Sequence, residues 1–192
     1  MITTEAIKEI VAYTGTQKRR WAGYQEVCHK GQVLYPGMRD IYERFSLIDL
    51  ADLKGRMVLD FGCNIGMNCQ IAIEFGAIQA LGVDYEDYLI ETAIQLNTLY
   101  KTNCHFAQVD LSRPMETKGF DTGFVFAINH HVKNDQMLAE NIKKNIKNVV
   151  YFETHMNKRF LCIPEEIEAL FKQVDLIGKT DKHRRNFYRC IL

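Results

Sequence analysis

Residues 57–84 read MVLDFGCNIGMNCQIAIEFGAIQALGVD, and this stretch decides the fold. Met57 to Phe61 is a short apolar run that predicts a strand, and the glycines and Asn64 that follow break it. Met67 to Phe75 returns to helical spacing, and Ala80 to Asp84 is a second short apolar run. The order is strand, glycine-rich turn, helix and strand, which is the building unit of a parallel sheet.

The same alternation continues to the C-terminus. The patterns predict a helix over Tyr88 to Tyr100, a strand over His105 to Val109, a strand over Thr122 to Ile128, a helix over Asp135 to Lys144 and a strand over Val149 to Glu153. Two last strands, joined by a short polar turn, must be antiparallel. We therefore predict one α/β domain with a Rossmann-like, doubly wound, seven-stranded and mostly parallel sheet and an antiparallel C-terminal strand.

One connection, Asp110 to Phe120, lacks a convincing helix although it joins two strands of a parallel sheet. Eleven extended residues reach about 36 Å. Crossing three strand spacings takes about 14 Å, and returning along a strand takes about 18 Å. We therefore expect this connection to cross the sheet with at most a degenerate helix.

The N-terminal part has a different pattern. Thr4 to Tyr13 and Arg39 to Leu50 have helical spacing, and the glycine-punctuated stretch between them, residues 15–37, predicts a loop-rich segment. We interpret residues 1–54 as a helical lid or substrate segment and residues 55–192 as the ligand-binding domain.

Composition excludes several classes of protein. The 192 residues carry 24 Lys and Arg against 24 Asp and Glu, which argues against binding nucleic acid by bulk charge. No apolar run approaches the length of a membrane helix, and the first ten residues do not resemble a secretory signal. The six cysteines form no CxxC pair, which favours reduced thiols. We expect a cytoplasmic protein that does not span a membrane.

Three carboxylates close three successive strands: Asp60, Asp84 and Asp110. Carboxyl ends of neighbouring parallel strands meet at one edge of a sheet, where ligands bind. A dinucleotide fingerprint, G-x-G-x-x-G, fails because its later glycines fall on Asn64 and Met67. Asp60 would repel a pyrophosphate but suits a ligand with an ammonium and a sulfonium group, while Asp84 is placed to accept both hydroxyls of a ribose. The alternative is that these acids cap helices or turns.

The stretches VLDFGCNIG, LGVDYED, AQVDLS and FDTGFVFAINHHV together resemble the class I S-adenosylmethionine-dependent methyltransferases. The resemblance implies S-adenosyl-L-methionine as cofactor. It places Gly62, Cys63, Asn64 and Gly66 with Asp60 around the methionine moiety, Asp84 and Tyr85 at the ribose, Asp110 and Leu111 at the adenine, and Ile128 and Asn129 at the far side of the cofactor. The second glycine of the family's motif is Asn64 here.

The residues after the fourth strand of the cofactor domain bear on the methyl acceptor. Asn129 is followed by His130 and His131. In the family that the chain resembles, enzymes that methylate adenine amino groups have Asn or Asp followed by Pro-Pro and an aromatic residue at this point. The sequence therefore disfavours methylation of adenine N6. His130 or His131 is a candidate general base for a hydroxyl acceptor, or else caps or packs on the following helix. Glu153 and His155 could join them, but the Glu-x-x-Glu-His pattern of metal-binding relatives is absent, and we predict no metal site.

The lead-in WAGYQEVCHKGQVLYPG is weakly similar to that of bacterial enzymes that modify the wobble uridine of transfer RNA. Basic residues at both ends of the chain could form an RNA surface or simply be solvated: Lys18, Arg19, Arg20 with Trp21, and Lys182, Arg184, Arg185 and Arg189. We predict a methyltransferase that acts on a hydroxyl or amine of a small molecule. The alternatives are an RNA (tRNA) methyltransferase and a catalytically silent cofactor-binding or regulatory protein of the same fold. The sequence leaves the oligomeric state open.

Overall fold

The computed structural model describes residues 2–16, 23–117, 119–155, 157, 161–180 and 184–192. In chain order its elements are α1 (Thr4–Thr16), β1 (Val27–His29), β2 (Gln32–Tyr35), α2 (Ile41–Phe45), a 3-10 turn (Leu50–Asp52), β3 (Met57–Phe61), α3 (Met67–Glu74), β4 (Gln79–Asp84), α4 (Asp87–Tyr100), β5 (Cys104–Gln108), β6 (Phe120–Phe126), α5 (Asp135–Asn145), β7 (Ile146–Glu153), α6 (Glu165–Glu168), β8 (Gln173–Thr180) and β9 (Arg185–Ile191).

The main sheet has seven strands in the order β5-β4-β3-β6-β7-β9-β8. The strands β3 to β7 pair in parallel, and β9 pairs antiparallel with both β7 and β8. This arrangement confirms the predicted doubly wound sheet with its antiparallel C-terminal strand. Alternate residues of β6 face opposite sides: Phe124 belongs to one hydrophobic cluster and Val125 to the other, as the period of two in a strand requires.

The N-terminal segment differs from its prediction in two places. Part of the expected loop is an antiparallel hairpin of β1 and β2, whose two-residue turn has positive φ at Lys30 (49°) and Gly31 (77°). Turns of this kind match the twist of paired strands, so Gly31 closes a hairpin here. The expected helix over Arg39 to Leu50 is wrong in length: α2 ends at Phe45, and Ser46 Oγ donates to the carbonyl of Glu43, which competes with continued helix.

The N-terminal segment shares its core with the sheet. Ile7 on α1, Val27 on β1 and Ile41 on α2 are fully buried in the same cluster as Val58 of β3. The ring of Phe45 lies 5.8 Å from that of Phe124 in an edge-to-face arrangement. These contacts fix the segment on one face of the sheet, so its loops have defined positions beside the carboxyl ends of the strands.

The connection between β5 and β6 crosses three strand spacings without a helix, as expected. Buried Asn141 of α5 takes the place of helical hydrogen bonds there. Its Oδ1 accepts from the amide of Met115, and its Nδ2 donates to the carbonyls of Leu111 and Arg113. One side chain thus satisfies three backbone groups of the crossover.

Replacing this side chain should destabilise the fold. We expect Asn141→Ala to lower the free energy of unfolding by about 2–3 kcal/mol, since it leaves buried backbone groups unsatisfied. Gln136→Ala on the same helix removes an exposed side-chain contact with Glu140 and should change stability by less than about 0.5 kcal/mol. Urea denaturation of both variants is the measurement, and equal effects would contradict the role of Asn141.

All six cysteines are free thiols, five of them buried and Cys162 exposed, which agrees with the expectation of reduced cysteines. Among the described residues, no helix combines the length and apolar character needed to cross a membrane.

Candidate active site

A cavity of about 580 Å³ opens at the carboxyl edge of the parallel strands. This volume is in the usual range for small-molecule sites. Its walls come from the ends of β3, β4, β5, β6 and β7, from the start of β9 and from the N-terminal segment, and they include Tyr24, Gln25, Met38, Arg39, Arg44, Gly62, Asn64, Asn68, Asp84, Tyr85, Asp110, Leu111, Ser112, Ile128, His130, His131, Lys133, His155 and Arg185.

The glycine-rich turn after β3 forms one end of the cavity. Gly62, Asn64 and Gly66 all have positive φ (78°, 54° and 80°), a conformation that glycine adopts at no steric cost. A Cβ on Gly62 would lie 2.3 Å from Cγ2 of Ile128. A Cβ on Gly66 would lie 2.4 Å from the ring of Phe106. Close packing therefore requires glycine at both positions, independently of any ligand.

Cys63 lies within this turn but does not line the cavity. Its side chain is fully buried, and burial raises the pKa of its thiol well above the ordinary value. The backbone amides of Gly62 and Cys63 both donate to the carbonyl of Val83. Cys63 thus contributes backbone and packing to the turn and a neutral thiol to the core.

Gln25, which sequence reasoning missed, ties the N-terminal segment to the turn. Its Nε2 donates to the carbonyl of Cys63 at 3.3 Å, and its Oε1 accepts from the amide of Met67, the first residue of α3, at 3.2 Å. The side chain is buried. A lone glutamine in a loop carries no signal of such a contact, which depends on the packing of β1 against α3.

Asp84 lies at the tip of β4 and lines the cavity. Its Oδ2 accepts from the amide of Asn64 at 2.9 Å, and its Oδ1 accepts from the amide of Glu86 at 3.2 Å. Burial raises the pKa of Asp84, and these amide donors oppose the rise. The carboxylate is thus held in one orientation beside the glycine-rich turn, with lone pairs left for a ligand.

Asp60, at the tip of β3, is completely buried, and the cavity wall beside it is formed by Asn68. Its Oδ2 accepts from Asn68 Nδ2 at 3.2 Å, and its Oδ1 has no partner among the described residues. Burial raises the pKa of Asp60 to about 7, against the opposing effects of Asn68 and Arg44. A buried carboxylate with one unpartnered oxygen lowers the free energy of unfolding, because the charge has lost its hydration.

Asp110 and its neighbours form the end of the cavity beside β5. Asp110 Oδ1 accepts from the amide and hydroxyl of Ser112, and these hydrogen bonds hold the pKa of Asp110 below its usual value. Leu111 is buried and Tyr85 is 65% exposed, and both line the same cavity. The three strand-tip carboxylates therefore follow neighbouring strands, in the order that the sequence predicted.

The segment after β6 begins with strained backbone. Ala127 has φ of 54°, which costs a residue with a Cβ roughly 1–2 kcal/mol. Its amide donates to the carbonyl of Glu153 at 2.8 Å. Ile128 lines the cavity, whereas Asn129 is buried behind it with neither amide atom bonded to a described residue.

Three imidazoles lie close together, with tilted rings, at the side of the cavity formed by β6 and β7. The ring of His130 lies 3.9 Å from that of His131 and 4.0 Å from that of His155. Burial, followed by the neighbouring imidazoles and Arg185, lowers the pKa of His130 to about 3. His130 is therefore uncharged at neutral pH.

Glu153 takes part in a buried ion cluster that the sequence did not reveal. Its carboxylate accepts from Arg44 Nε at 3.0 Å and Nη2 at 2.7 Å, from Arg185 Nη1 at 3.2 Å and from Thr180 Oγ1 at 2.5 Å. Burial alone would raise the pKa of Glu153, but its cationic partners hold it below its usual value. All three charged residues are at most 3% exposed.

This cluster bears on one expectation about the basic residues. Arg44 pairs with a carboxylate 109 residues away, on a different element of the fold. Arg185 is buried in the cluster, so it does not belong to an exposed RNA surface. Arg189 is partly exposed and bonds to Asp52 at 2.8 Å. Lys18, Arg19, Arg20, Trp21 and Lys182 lie outside the described residues.

The residues of the cavity fit the expected cofactor. Gly62 and Gly66 leave no room for side chains on the turn, and Asp84 presents a fixed carboxylate to the cavity. Asp60 Oδ1 and both amide atoms of Asn129 are buried polar atoms without partners in the described part of the chain, which is unusual in a folded protein unless a ligand or water serves them. Within the described ranges, no group of three His, Cys, Asp or Glu side chains could hold a metal ion.

Comparison with known proteins agrees with this geometry. A family model described as "Methyltransferase domain" matches residues 52–188. A tRNA U34 carboxymethyltransferase of Idiomarina loihiensis (strain ATCC BAA-735 / DSM 15497 / L2-TR) is 29% identical over 102 residues, which are 51% of this chain and 32% of that protein. The chain thus spans about a third of the length of this curated relative.

Solved structures share the fold. A TehB-like SAM-dependent methyltransferase from Corynebacterium glutamicum has a TM-score of 0.64 and 16% identity, over 94% of this chain and 96% of its own. An S-adenosylmethionine dependent methyltransferase from Mesorhizobium loti has a TM-score of 0.59 and 14% identity, over 77% of this chain and 94% of its own. At such identities the likeness concerns the fold.

Proposed function

The chain belongs to the family of S-adenosyl-L-methionine-dependent methyltransferase domains, and from that premise we propose that it methylates a hydroxyl or amine of a small molecule. The observation that carries the proposal is the cavity itself. It is bounded on one side by the strand tips and on another by the N-terminal segment, and a walled cavity of this size suits a small acceptor better than a folded polymer.

We assign the half of the cavity beside β3, β4 and β5 to the cofactor. Asp84 would accept hydrogen bonds from the ribose hydroxyls, with Tyr85 beside it, and Asp110 and Leu111 would border the adenine. Gly62, Asn64 and Gly66 would border the methionine moiety. Asp60 and Asn129, which are buried next to this wall, would offer their unpartnered atoms to its polar groups, and Cys63 would support the turn through its backbone.

The bound cofactor supplies an already activated methyl group on a sulfonium, so the protein needs chiefly to align the acceptor and to exclude water. His130 and His131 are our candidates for receiving the proton of a hydroxyl or amine acceptor. Uncharged His130 has a lone pair for a hydrogen bond, and its low pKa makes it a weak base for full proton transfer. His131 is exposed to solvent. It would take the proton from the acceptor and pass it to water.

Transfer RNA is the second candidate acceptor. The similarity to a tRNA U34 carboxymethyltransferase favours it, although that similarity covers half of this chain. Assays with methyl-labelled cofactor can separate the candidates: transfer to a metabolite mixture supports the small molecule, and transfer to bulk tRNA supports the second candidate. Tight cofactor binding without transfer to either would favour a catalytically silent protein of the same fold.

The cofactor assignment has its own prediction. We expect Asp84→Asn to weaken binding of S-adenosylhomocysteine by about 30- to 100-fold, because a charge-assisted hydrogen bond contributes about 2–3 kcal/mol. Asp87→Asn, an exposed change three residues away in the first turn of α4, should leave the affinity within twofold. Isothermal titration calorimetry measures both, and unchanged binding by Asp84→Asn in a folded sample would contradict the assignment.

A further inference from the structure

Acidic and basic residues lie on different sides of the cavity wall. Its acids, Asp84, Glu86 and Asp110, lie on the side of β4 and β5. Its cations, Arg39, Arg44, Lys133 and Arg185, come from the N-terminal segment, from the connection after β6 and from the start of β9. The ribose hydroxyls and the adenine amino group of the cofactor are hydrogen-bond donors and suit the acidic side. The basic side therefore faces a different chemical group.

Arg44 is held as a preformed anion receptor. Glu153 binds its Nε and Nη2, and the guanidinium carbon lies 5.1 Å from the centroid of the Phe126 ring. Its Nη1 makes no hydrogen bond to the described residues. A guanidinium fixed on one edge keeps its other edge in a constant orientation, which lowers the entropy lost when a ligand binds.

Glu153 is shared between two arginines, and Lys133 makes no ion pair with the described residues. One carboxylate thus faces two guanidinium groups in the buried cluster. The low pKa of His130, to which Arg185 contributes, agrees with positive potential on this side.

The positions of Glu153 and Arg185 favour the acceptor over the cofactor as the source of the anion, while Arg44 itself is near enough to Asp60 to lower the pKa of that carboxyl. We assign the cofactor to the tips of β5, β4 and β3. Glu153 lies at the tip of β7 and Arg185 at the start of β9, which are two and three strands beyond β3. With strands about 4.8 Å apart, this is a lateral offset of roughly 10–14 Å. The neighbouring imidazoles of His130 and His155 lie on the same side of the cavity.

We propose that Arg44, oriented by Glu153 and supported by Arg185 and Lys133, binds an anionic group of the methyl acceptor, a carboxylate or a phosphate. This inference rests on the proposed function, since it names the substrate class of the same cavity. Glu153 acts as a positioning residue, and Arg44 as the residue that selects the acceptor.

The test uses the full chain saturated with S-adenosylhomocysteine, titrated with benzoate, benzamide, phenyl phosphate and inorganic phosphate by calorimetry. We expect benzoate or phenyl phosphate to bind at least tenfold more tightly than benzamide, and the tighter of the two identifies the anion. Arg44→Lys should reduce that preference at least fivefold. Arg56→Lys, an exposed change outside the cavity wall, should leave it unchanged.

Lys133→Gln is a second variant that tests the inference even if Arg44→Lys does not fold. Lys133 is exposed, so its replacement should not disturb the fold. We expect it to weaken anion binding two- to threefold. Equal affinity for benzoate, phenyl phosphate and benzamide in the wild-type chain would overturn the inference.

The same variants distinguish an acceptor anion from the carboxylate of the cofactor. Methylthioadenosine lacks the amino-acid portion of S-adenosylhomocysteine. If Arg44→Lys weakens binding of S-adenosylhomocysteine tenfold and leaves methylthioadenosine unaffected, the cluster binds the cofactor and our inference is wrong. If the wild-type chain binds neither nucleoside, the proposed function itself fails, and the inference fails with it.

Discussion

Gly62→Ala is expected to abolish measurable binding of S-adenosylhomocysteine and to lower the free energy of unfolding by about 2–5 kcal/mol. Two costs combine at this position. A residue with a Cβ at φ of 78° costs roughly 1–2 kcal/mol. The added Cβ would also lie 2.3 Å from Cγ2 of Ile128, and such overpacking typically costs about 1–3 kcal/mol.

Gly31 is a matched control for this experiment. Its φ of 77° is almost the same, and a Cβ built on it has nothing within 4 Å. Gly31→Ala should therefore lower the free energy of unfolding only by the conformational cost, about 1–2 kcal/mol. It should retain cofactor affinity. Urea denaturation and calorimetry on both variants separate backbone strain from the clash. Equal losses of stability would show that Ile128 yields without cost and would contradict the close packing of the turn.

Asp60→Asn is expected to change stability and cofactor affinity in opposite directions. Burial raises the pKa of Asp60 to about 7 from an ordinary value of 3.8, so charging this group at higher pH opposes folding. Removing the charge should stabilise the ligand-free protein at pH 8 by on the order of 2–4 kcal/mol. Asn68 Oδ1, which has no partner among the residues that the structure describes, is an acceptor for the new amide. Affinity for S-adenosylmethionine should fall at least tenfold, because its cationic groups lose the carboxylate.

The pH dependence of folding stability tests whether the charge on Asp60 opposes folding. The folded protein binds a proton at Asp60 between about pH 4 and pH 7 that the unfolded chain does not hold, so wild-type stability falls as pH rises through this range. The gain from Asp60→Asn should therefore be small at pH 4.5, about 1 kcal/mol, grow toward pH 7 and then stay constant. His130, whose folded pKa is depressed to about 3, has the opposite dependence, but it is present in both proteins and cancels in the difference.

Urea denaturation of wild type and Asp60→Asn at pH 4.5, 6 and 8 measures this difference. Asp121→Asn, a change at the opposite edge of the sheet where Asp121 accepts from the amide of Met57, serves as the control for cofactor affinity and should leave it unchanged. A stability difference that does not vary with pH would show that Asp60 is charged throughout this range and would refute the prediction.

Local patterns were sufficient to predict the main sheet. The apolar runs ending at Asp60 and Asp84, and the glycines between them, are local signals of strands and a turn, and strand order follows from the chirality and length of parallel connections. The glycine-rich turn, the strand-tip acids and the two histidines could be named for the same reason: each stands at a fixed offset from a strand end.

Contacts between distant segments could not be predicted in this way. Gln25 bonds to residues about 40 positions away and Arg44 to one 109 positions away, and neither contact leaves a periodic pattern. Asn141 was hidden in a helix whose polar residues suggested exposure. The hairpin turn at Lys30 and Gly31 was missed because three- and four-residue strands give too few positions for alternation to be recognised.

The N-terminal segment and the sheet share one hydrophobic core. The part of the chain that folds as a unit is therefore longer than the part that matches the family. The family match begins at residue 52, yet Ile7, Val27, Ile41 and Phe45 are buried against the domain that follows. Each such side chain contributes about 1.5–3 kcal/mol on burial, and ordinary domains are stable by only about 5–15 kcal/mol. A recombinant fragment cut at the start of the match would therefore expose an apolar face and aggregate, so a stable recombinant form of this domain needs to retain the first fifty residues.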